Sequence, residues 1–224
     1  MKRSNLLVMV CALAVVASLA RGQVSSVRLD VGPGDVGLDG RLAPAEWNAL
    51  RLTIDHFGAK PRQVICRWLV TDRDEDRVIA RREVALNPQR QNQQVWLYAP
   101  TPEPASRAPS WLIQVVGEDG DELLASKRVG PRGQLTAQQQ TLGVMGTPAL
   151  GLSRYRDRAT RHEAIELIRG LSLADLPDRW HGLAPLEAMI WTPQGGKPID
   201  DDVPEASLDA LREWVDRGGH LVIS

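Results

Sequence analysis

The sequence is poor in cysteine. Two cysteines occur among 224 residues, and Cys11 lies in an N-terminal apolar run. A mature chain that keeps only Cys66 cannot form an intramolecular disulfide, so its fold must rest on a hydrophobic core. Cys66 lies in the apolar stretch Gln63–Val70. A small buried side chain in a strand is its predicted role, with a reactive thiol as the alternative.

No motif of a catalytic or cofactor site is present in full. The chain has no G-x-S-x-G, no G-x-x-x-x-G-K-[ST] and no G-x-G-x-x-G that leads into a helix. Its four histidines (His56, His162, His181 and His220) lie at no spacing that is typical of zinc ligands. The sequence therefore predicts no catalytic residues and no cofactor, which favours a non-enzymatic protein without deciding the question.

An excess of charge of one sign is also lacking. The 27 basic and 28 acidic residues are spread without a basic patch, which argues against a nucleic-acid partner. Beyond the N-terminal segment, no run is apolar enough over sufficient length to cross a membrane. Membrane contact is therefore expected only through an uncleaved N-terminal segment or through sequence beyond residue 224.

The first 22 residues have the three-part pattern of a secretory signal peptide. Lys2 and Arg3 form a positive start, Leu6–Ala17 is apolar and uncharged, and Ser18–Ala20 offers small residues for cleavage. The apolar run is shorter than the roughly 20 residues of a spanning helix, so cleavage is favoured over retention as an anchor. We expect an exported protein of the periplasm, the cell envelope or the surrounding medium.

Residues 23–132 predict an immunoglobulin-like β-sandwich. Short segments rich in Val, Ile, Leu and Trp alternate with Gly- and Pro-containing turns, and the pair Asp119-Gly120 favours a hairpin. The predicted strands are Val24–Val31, Ala49–Ile54, Gln63–Thr71, Arg77–Leu86, Gln93–Tyr98, Trp111–Val116 and Glu122–Arg128.

Residues 133–140 are predicted to be a linker, because glycine, proline and a run of glutamines interrupt the strand pattern. Residues 141–224 then predict a partial α/β domain with a parallel sheet. Thr141–Met145 and Leu186–Trp191 are apolar strand candidates, whereas Glu163–Leu171 is ambiguous between strand and helix.

The end of the chain carries its clearest helix signal, over Pro204–Arg217. Leu208, Leu211 and Val215 share one helical face, and Gly218-Gly219 suits the C-terminal end. The strand His220–Ser224 follows at once, so strand, helix and strand predict a parallel β-α-β unit. So short a set of elements indicates that the α/β domain is cut short.

Three segments in this half carry a family resemblance: Leu176–Leu183 (LPDRWHGL), Leu186–Trp191 and Leu208–Ser224. Together they resemble the class I glutamine amidotransferase-like domains of bacterial envelope proteins, over about residues 141–224. Those domains often carry LP-x-x-W-x-G-L, a hydrophobic strand and L-x-x-W-V-x-x-G-G-x-L-V.

The resemblance implies a flavodoxin-like α/β fold behind a signal peptide and a β-sandwich. In catalytic relatives the nucleophilic cysteine would stand one residue beyond Ser224, with its His and Glu or Asp partners further downstream. The sequence up to Ser224 supplies none of these, so the resemblance assigns no catalytic residue here. Many relatives look like binding or scaffold domains.

An acidic segment invites a calcium hypothesis. Asp72, Asp74, Asp76 and Glu83 match positions 1, 3, 5 and 12 of a calcium-binding loop. Arg77 stands where the sharp turn of such a loop needs glycine, and neighbouring arginines neutralise the acids. A solvated hairpin tip is therefore the preferred interpretation, and no metal is predicted.

Seven tryptophans stand against one phenylalanine and two tyrosines. Five of them lie inside apolar segments and are predicted to fill the core, whereas Trp47 and Trp180 lie in polar, turn-like sequence. These two are the candidates for a surface that stacks on a protein or a glycan. The leading hypothesis is thus an exported, non-enzymatic binding or scaffold protein of the envelope. The alternative is the N-terminal part of a hydrolase or amidotransferase-like enzyme whose nucleophile lies beyond residue 224.

Overall fold

The computed structural model of the chain describes residues 26–71, 76–102, 109–136, 139–146, 164–192 and 204–223. These residues are mostly β-strand and form several sheets. The strands are β1 (Val27–Asp30), β2 (Arg41–Leu42), β3 (Trp47–His56), β4 (Arg62–Thr71), β5 (Arg77–Leu86), β6 (Gln93–Pro100), β7 (Trp111–Gly117), β8 (Leu123–Val129), β9 (Gly133–Gln134), β10 (Gln139–Met145), β11 (Ala164–Leu171), β12 (Ala188–Trp191) and β13 (His220–Ile223). The described residues also form the helix α1 (Glu205–Asp216) and the 3-10 turns Pro33–Asp35, Leu173–Asp175 and Trp180–Gly182.

Two antiparallel sheets face each other in the N-terminal part. The first has the strand order β1-β3-β6 and the second β5-β4-β7-β8. Apolar and polar residues alternate along the strands, so each sheet turns one apolar face to the other. On β4, Val64, Cys66, Trp68 and Val70 are buried in the shared core. A β-sandwich therefore forms, and each of the seven predicted strands overlaps an observed one.

Trp68 and Trp111 fill the middle of the sandwich core. Their ring centroids lie 5.6 Å apart, in an edge-to-face arrangement, and both side chains are buried. This arrangement adds an attraction between the rings to the large apolar area that they bury. Truncating Trp68 to alanine would cost about 4 kcal/mol. The predicted core role of these two tryptophans is confirmed.

A parallel sheet follows, in the order β11-β10-β12-β13. It contains the apolar segments predicted as strands, and the described part of the ambiguous segment, Ala164–Leu171, is the strand β11. The predicted parallel β-α-β unit is β12, α1 and β13. Below α1 lies a second core, separate from that of the sandwich, formed by Leu38, Met145, Ile168, Leu176, Leu183, Leu186, Met189, Leu211 and Trp214.

The helix α1 lies within one residue of its predicted bounds, but its buried face differs from the prediction. Ser207, Ala210, Leu211 and Trp214 are buried, whereas Val215 is 38% exposed. These buried residues are spaced i, i+3, i+4 and i+7 and therefore share one face of the helix. This face includes the large Trp214 ring and lies about one residue away from the predicted one.

The end of α1 is as predicted. Gly218 adopts a φ of +103° and donates its N–H to the carbonyl of Val215. This is the left-handed conformation in which helices commonly end, and glycine adopts it without a steric cost. Gly219 then lies so close to Trp214 that a Cβ would stand 2.2 Å from the ring.

The segment predicted as a linker, residues 133–140, contributes to two different sheets. β9 pairs in parallel with β2, and β10 begins at Gln139. Leu38, from the N-terminal part, packs into the second core, and Arg41 forms an ion pair with Glu166 of β11. Packing and charge thus join the sandwich to the parallel sheet. No helix within the described ranges is long and apolar enough to span a bilayer.

Candidate functional site

The two tryptophans singled out from the sequence meet across one histidine. Trp47 begins β3, and Trp180 and His181 lie in the 3-10 turn Trp180–Gly182. The ring of His181 stacks on Trp180 with 4.2 Å between centroids and meets Trp47 edge-on at 4.8 Å. Tyr98 of β6 lies 6.1 Å from the same histidine. We refer to Trp47, Tyr98, Trp180 and His181 as the aromatic junction.

The turn that carries Trp180 is pressed tightly against the sandwich. Gly182 is buried, and a Cβ there would stand 2.5 Å from Pro177 and 3.0 Å from the Cβ of Ala49 on β3. Only glycine allows the backbone to approach so closely without displacing its neighbours. Leu176 and Leu183, on either side, are buried in the second core. The LPDRWHGL segment thus forms part of the contact between the sandwich and the second core.

Asp178 ties the same segment to two strands of the sandwich. Its carboxylate accepts a hydrogen bond of 2.7 Å from the Tyr98 hydroxyl and one of 2.6 Å from the guanidinium of Arg82. Arg82 also donates to the carbonyl of Trp96 on β6. Burial and the neighbouring carboxylate raise the pKa of Tyr98 above its ordinary value, so the tyrosine remains a proton donor.

The imidazole of His181 is incompletely hydrogen-bonded. Its Nδ1 is buried and has no hydrogen-bond partner among the described residues. Burial lowers the pKa of His181 below its ordinary value, and the positive charges of Arg179 and Arg217 act in the same direction, against the opposing charge of Glu213. These effects favour the neutral form of the ring.

The two tryptophans differ in how open they are. Trp47 is 38% exposed, whereas Trp180 is half-buried and also carries the guanidinium of Arg217 at 4.2 Å from its ring centroid. Since His181 and Arg217 both pack on Trp180, its faces offer little room for a ligand. Trp47 is the exposed member of the junction.

A cleft of about 120 Å³, lined by both charged and apolar side chains, lies between the sandwich and the end of β11. Arg51 of β3 bridges Asp35 and Asp175 there and lies 5.9 Å from the Trp96 ring centroid. Burial opposes its charge, but the two carboxylates outweigh that effect and raise the pKa of Arg51. Trp96 was predicted to fill the core, but its side chain is half-buried and lies beside Arg51.

The calcium hypothesis finds no support in the part of the chain that is described. Asp72 and Asp74 lie outside that part. Asp76 directly precedes β5 and Glu83 lies well along that strand, which separates the two by about 23 Å at the rise of an extended chain. They cannot share one ion. Among the described residues, no three acidic, histidine or cysteine side chains are grouped to hold a metal.

Cys66 has the structural role predicted for it. The side chain lies fully buried in the sandwich core on β4. Burial raises the pKa of its thiol to about 12, so the reactive thiolate is scarce at physiological pH. Cys66 is therefore not a nucleophile in the folded chain.

Comparison with known proteins assigns no family. No family model matches the chain, and no curated protein matches it. The DNA glycosylase AlkC of Pseudomonas fluorescens, bound to DNA with an abasic site analogue, is 12% identical with a TM-score of 0.33, over 54% of this chain and 33% of that one.

Two further solved structures show similarly low likeness. The metal-bound CARDB domain of a Pyrococcus furiosus protein is 11% identical with a TM-score of 0.28, over 49% of this chain and 86% of that one. A Bacteroides fragilis protein described as a putative beta-galactosidase is 10% identical with a TM-score of 0.34, over 87% of this chain and 40% of that one. The chain thus spans less than half of the glycosylase and of this protein. Such values carry no argument about its function.

Proposed function

We propose that the chain is an exported protein of the cell envelope that binds a partner and does not itself catalyse a reaction. The observation that carries the proposal is the aromatic junction, in which Trp47 is held by His181 with its ring 38% exposed. An aromatic ring fixed by its neighbours and open to solvent binds a partner at a low cost in conformational entropy. The partner is a protein or a glycan of the envelope.

The strand order of the sandwich supports an immunoglobulin-like assignment for residues 23–132. Numbered by their order along the chain, its seven strands lie as 1-2-5 in one sheet and 4-3-6-7 in the other. An immunoglobulin constant domain has 1-2-5-4 and 3-6-7, so the two orders differ only in which sheet holds the fourth strand. Interaction modules of cell surfaces are frequently built on this architecture.

The parallel sheet supports the amidotransferase-like assignment for residues 141–224. Its order, numbered in the same way, is 2-1-3-4, which matches the first four strands of the flavodoxin-like order 2-1-3-4-5. The same observation favours the alternative function: the N-terminal part of an amidotransferase-like enzyme or hydrolase whose nucleophile lies beyond residue 224. Activity of the 224-residue chain itself would contradict both readings.

Export through a cleaved signal peptide is part of the proposal, and residues 1–22 supply its pattern. Sequencing of the N-terminus of the product isolated from its own source tests it. A start near Gln23 supports cleavage, whereas a start at Met1 in a membrane fraction would replace export with anchoring.

The partner is sought by site-specific photo-crosslinking in the envelope fraction of the source. A photoreactive residue replaces Trp47, and the matched control carries it at Phe57, which lies just beyond the other end of β3 and is 64% exposed. A discrete adduct from position 47 that is absent from position 57 supports binding at the junction. Equal adducts from both positions, or none from position 47, would contradict it. Protease and glycosidase digestion of the adduct then identifies the partner as protein or glycan.

A further inference from the structure

His181 is positioned to control how the sandwich and the parallel sheet are joined. Its ring lies between Trp180 of its own turn and Trp47 of the sandwich strand β3. The neighbouring Gly182 packs against Ala49 of the same strand. A displacement of the imidazole would therefore disturb the contact between this turn and β3.

The lack of a partner for Nδ1 favours the neutral form of His181 in this position. A neutral ring with its proton on Nε2 leaves Nδ1 as a bare acceptor, and an unsatisfied neutral acceptor costs less than an unsatisfied charged donor. Protonation places an N–H on Nδ1, where no acceptor among the described residues can receive it. A buried charged donor without a partner is among the costlier defects in a protein interior.

Among the charges around the ring, those of Arg179 and Arg217 add to this cost, whereas that of Glu213 opposes it. Arg179 directly precedes the turn Trp180–Gly182. Glu213 of α1 and Arg217, the residue directly after α1, form an ion pair of 2.8 Å near the ring. The carboxylate of Asp178 is already bonded to Arg82 and Tyr98. β3 and β6 present uncharged aromatic rings to the histidine.

We infer that His181 is an acid-sensitive latch. Its neutral ring holds the turn Trp180–Gly182 on β3, and protonation expels the ring and loosens the contact between the sandwich and the parallel sheet. The latch depends on contacts within the chain alone, so it stands apart from the identity of any partner. Its consequence is that Trp47 becomes more exposed in acid and Trp180 loses the ring of His181 from one face.

The sign of the pH dependence follows from linkage. The unfolded chain takes up a proton on His181 near the ordinary pKa of about 6.5, and the folded chain does so only at lower pH because burial lowers the pKa. Between the two values the unfolded chain binds more protons. The contribution of this group to stability is therefore constant above about pH 6.5 and is lost as the pH falls below it.

Hydrogen exchange of the purified chain at pH 7.5 and pH 5.5, corrected for intrinsic rates, tests the latch. Peptides from the segment 176–186 are compared with peptides from β4 in the sandwich core. We expect the backbone amides of residues 176–186 to exchange about tenfold faster at the lower pH, which is the size of effect that an unsatisfied buried donor produces. The amides of β4 should exchange at an unchanged rate. Equal protection of the junction at both values would overturn the inference.

Two variants identify the histidine responsible. His181→Gln cannot be protonated, so the ratio between the two pH values should fall to one, whereas His220→Gln, at an exposed histidine, should keep the wild-type ratio. A ratio in His181→Gln as large as in the wild type would refute the latch. If that variant does not fold, NMR titration of the wild-type histidine rings decides. Titration of His181 at an ordinary pKa, without a shift of the Trp47 and Trp180 indole signals, would refute it equally.

Discussion

The bond between Tyr98 and Asp178 offers a direct measure of how strongly the parallel sheet is held to the sandwich. Asp178→Asn keeps the shape of the side chain but removes the charge that accepts from the Tyr98 hydroxyl at 2.7 Å. Tyr98→Phe removes the other half of the bond. Because the two residues lie 80 positions apart in the sequence, their coupling exists only if the LPDRWHGL segment is packed on the sandwich.

The magnitude follows from the environment of the carboxylate. Hydrogen bonds to charged groups contribute about 1.5–3 kcal/mol when they are shielded from water, and the Asp178 side chain is 19% exposed. Arg82 is 36% exposed, so solvent screens its ion pair and reduces its share. We expect Asp178→Asn to lower the free energy of unfolding by about 2 kcal/mol, with a coupling to Tyr98→Phe of about 1 kcal/mol.

Urea unfolding of both single variants and the double variant, followed by tryptophan fluorescence, gives the coupling as a double-mutant cycle. Arg212→Met is the control, because its ion pair with Asp209 within α1 is exposed on both sides and should contribute less than about 0.5 kcal/mol. If the costs of the two single substitutions simply add, the Tyr98–Asp178 bond does not hold the junction, and the reasoning is refuted.

Three further outcomes are expected. Thiol reagents should modify Cys66 in the folded chain about 1,000-fold more slowly than in urea, because its pKa is raised from 9.0 to about 12; rapid labelling of the folded chain would contradict its burial. Gly182→Ala should lower the unfolding free energy by about 2 kcal/mol, since its Cβ would stand 2.5 Å from Pro177. Gly133→Ala, where a Cβ meets nothing within 4 Å, should be nearly neutral in the same urea assay. The intact mass of the native product should lack residues 1–22, and a mass that includes them would argue against cleavage.

The regular elements could be predicted from the sequence because their signals are local. Alternation with a period of two marks the sandwich strands, and a period near 3.6 followed by Gly218-Gly219 marks α1. Where the local signal was weak, the prediction was incomplete. The two-residue strands β2 and β9 were not predicted because they are too short to show alternation. The sequence of Glu163–Leu171 fits both periods, and it is the pairing of residues 164–171 with β10 that makes them a strand.

The junction could be anticipated only in part. The polar surroundings of Trp47 and Trp180 marked them as unusual, yet nothing in the sequence indicated that both contact His181. Tyr98, Asp178 and His181 gave no signal of their own beyond the position of the last two in the LPDRWHGL segment.

The sequence alone therefore determined most of the strands and the helix α1, because backbone periodicity depends on neighbours a few residues away. Tertiary structure alone decided what those elements do together. Trp47 and His181 lie far apart in the chain, and only the tertiary packing of the turn on the sandwich, with Gly182 against Ala49, brings their rings to 4.8 Å. The same packing buries the Nδ1 of the histidine without a partner. The predicted response of His181 to acid follows from this unsatisfied atom.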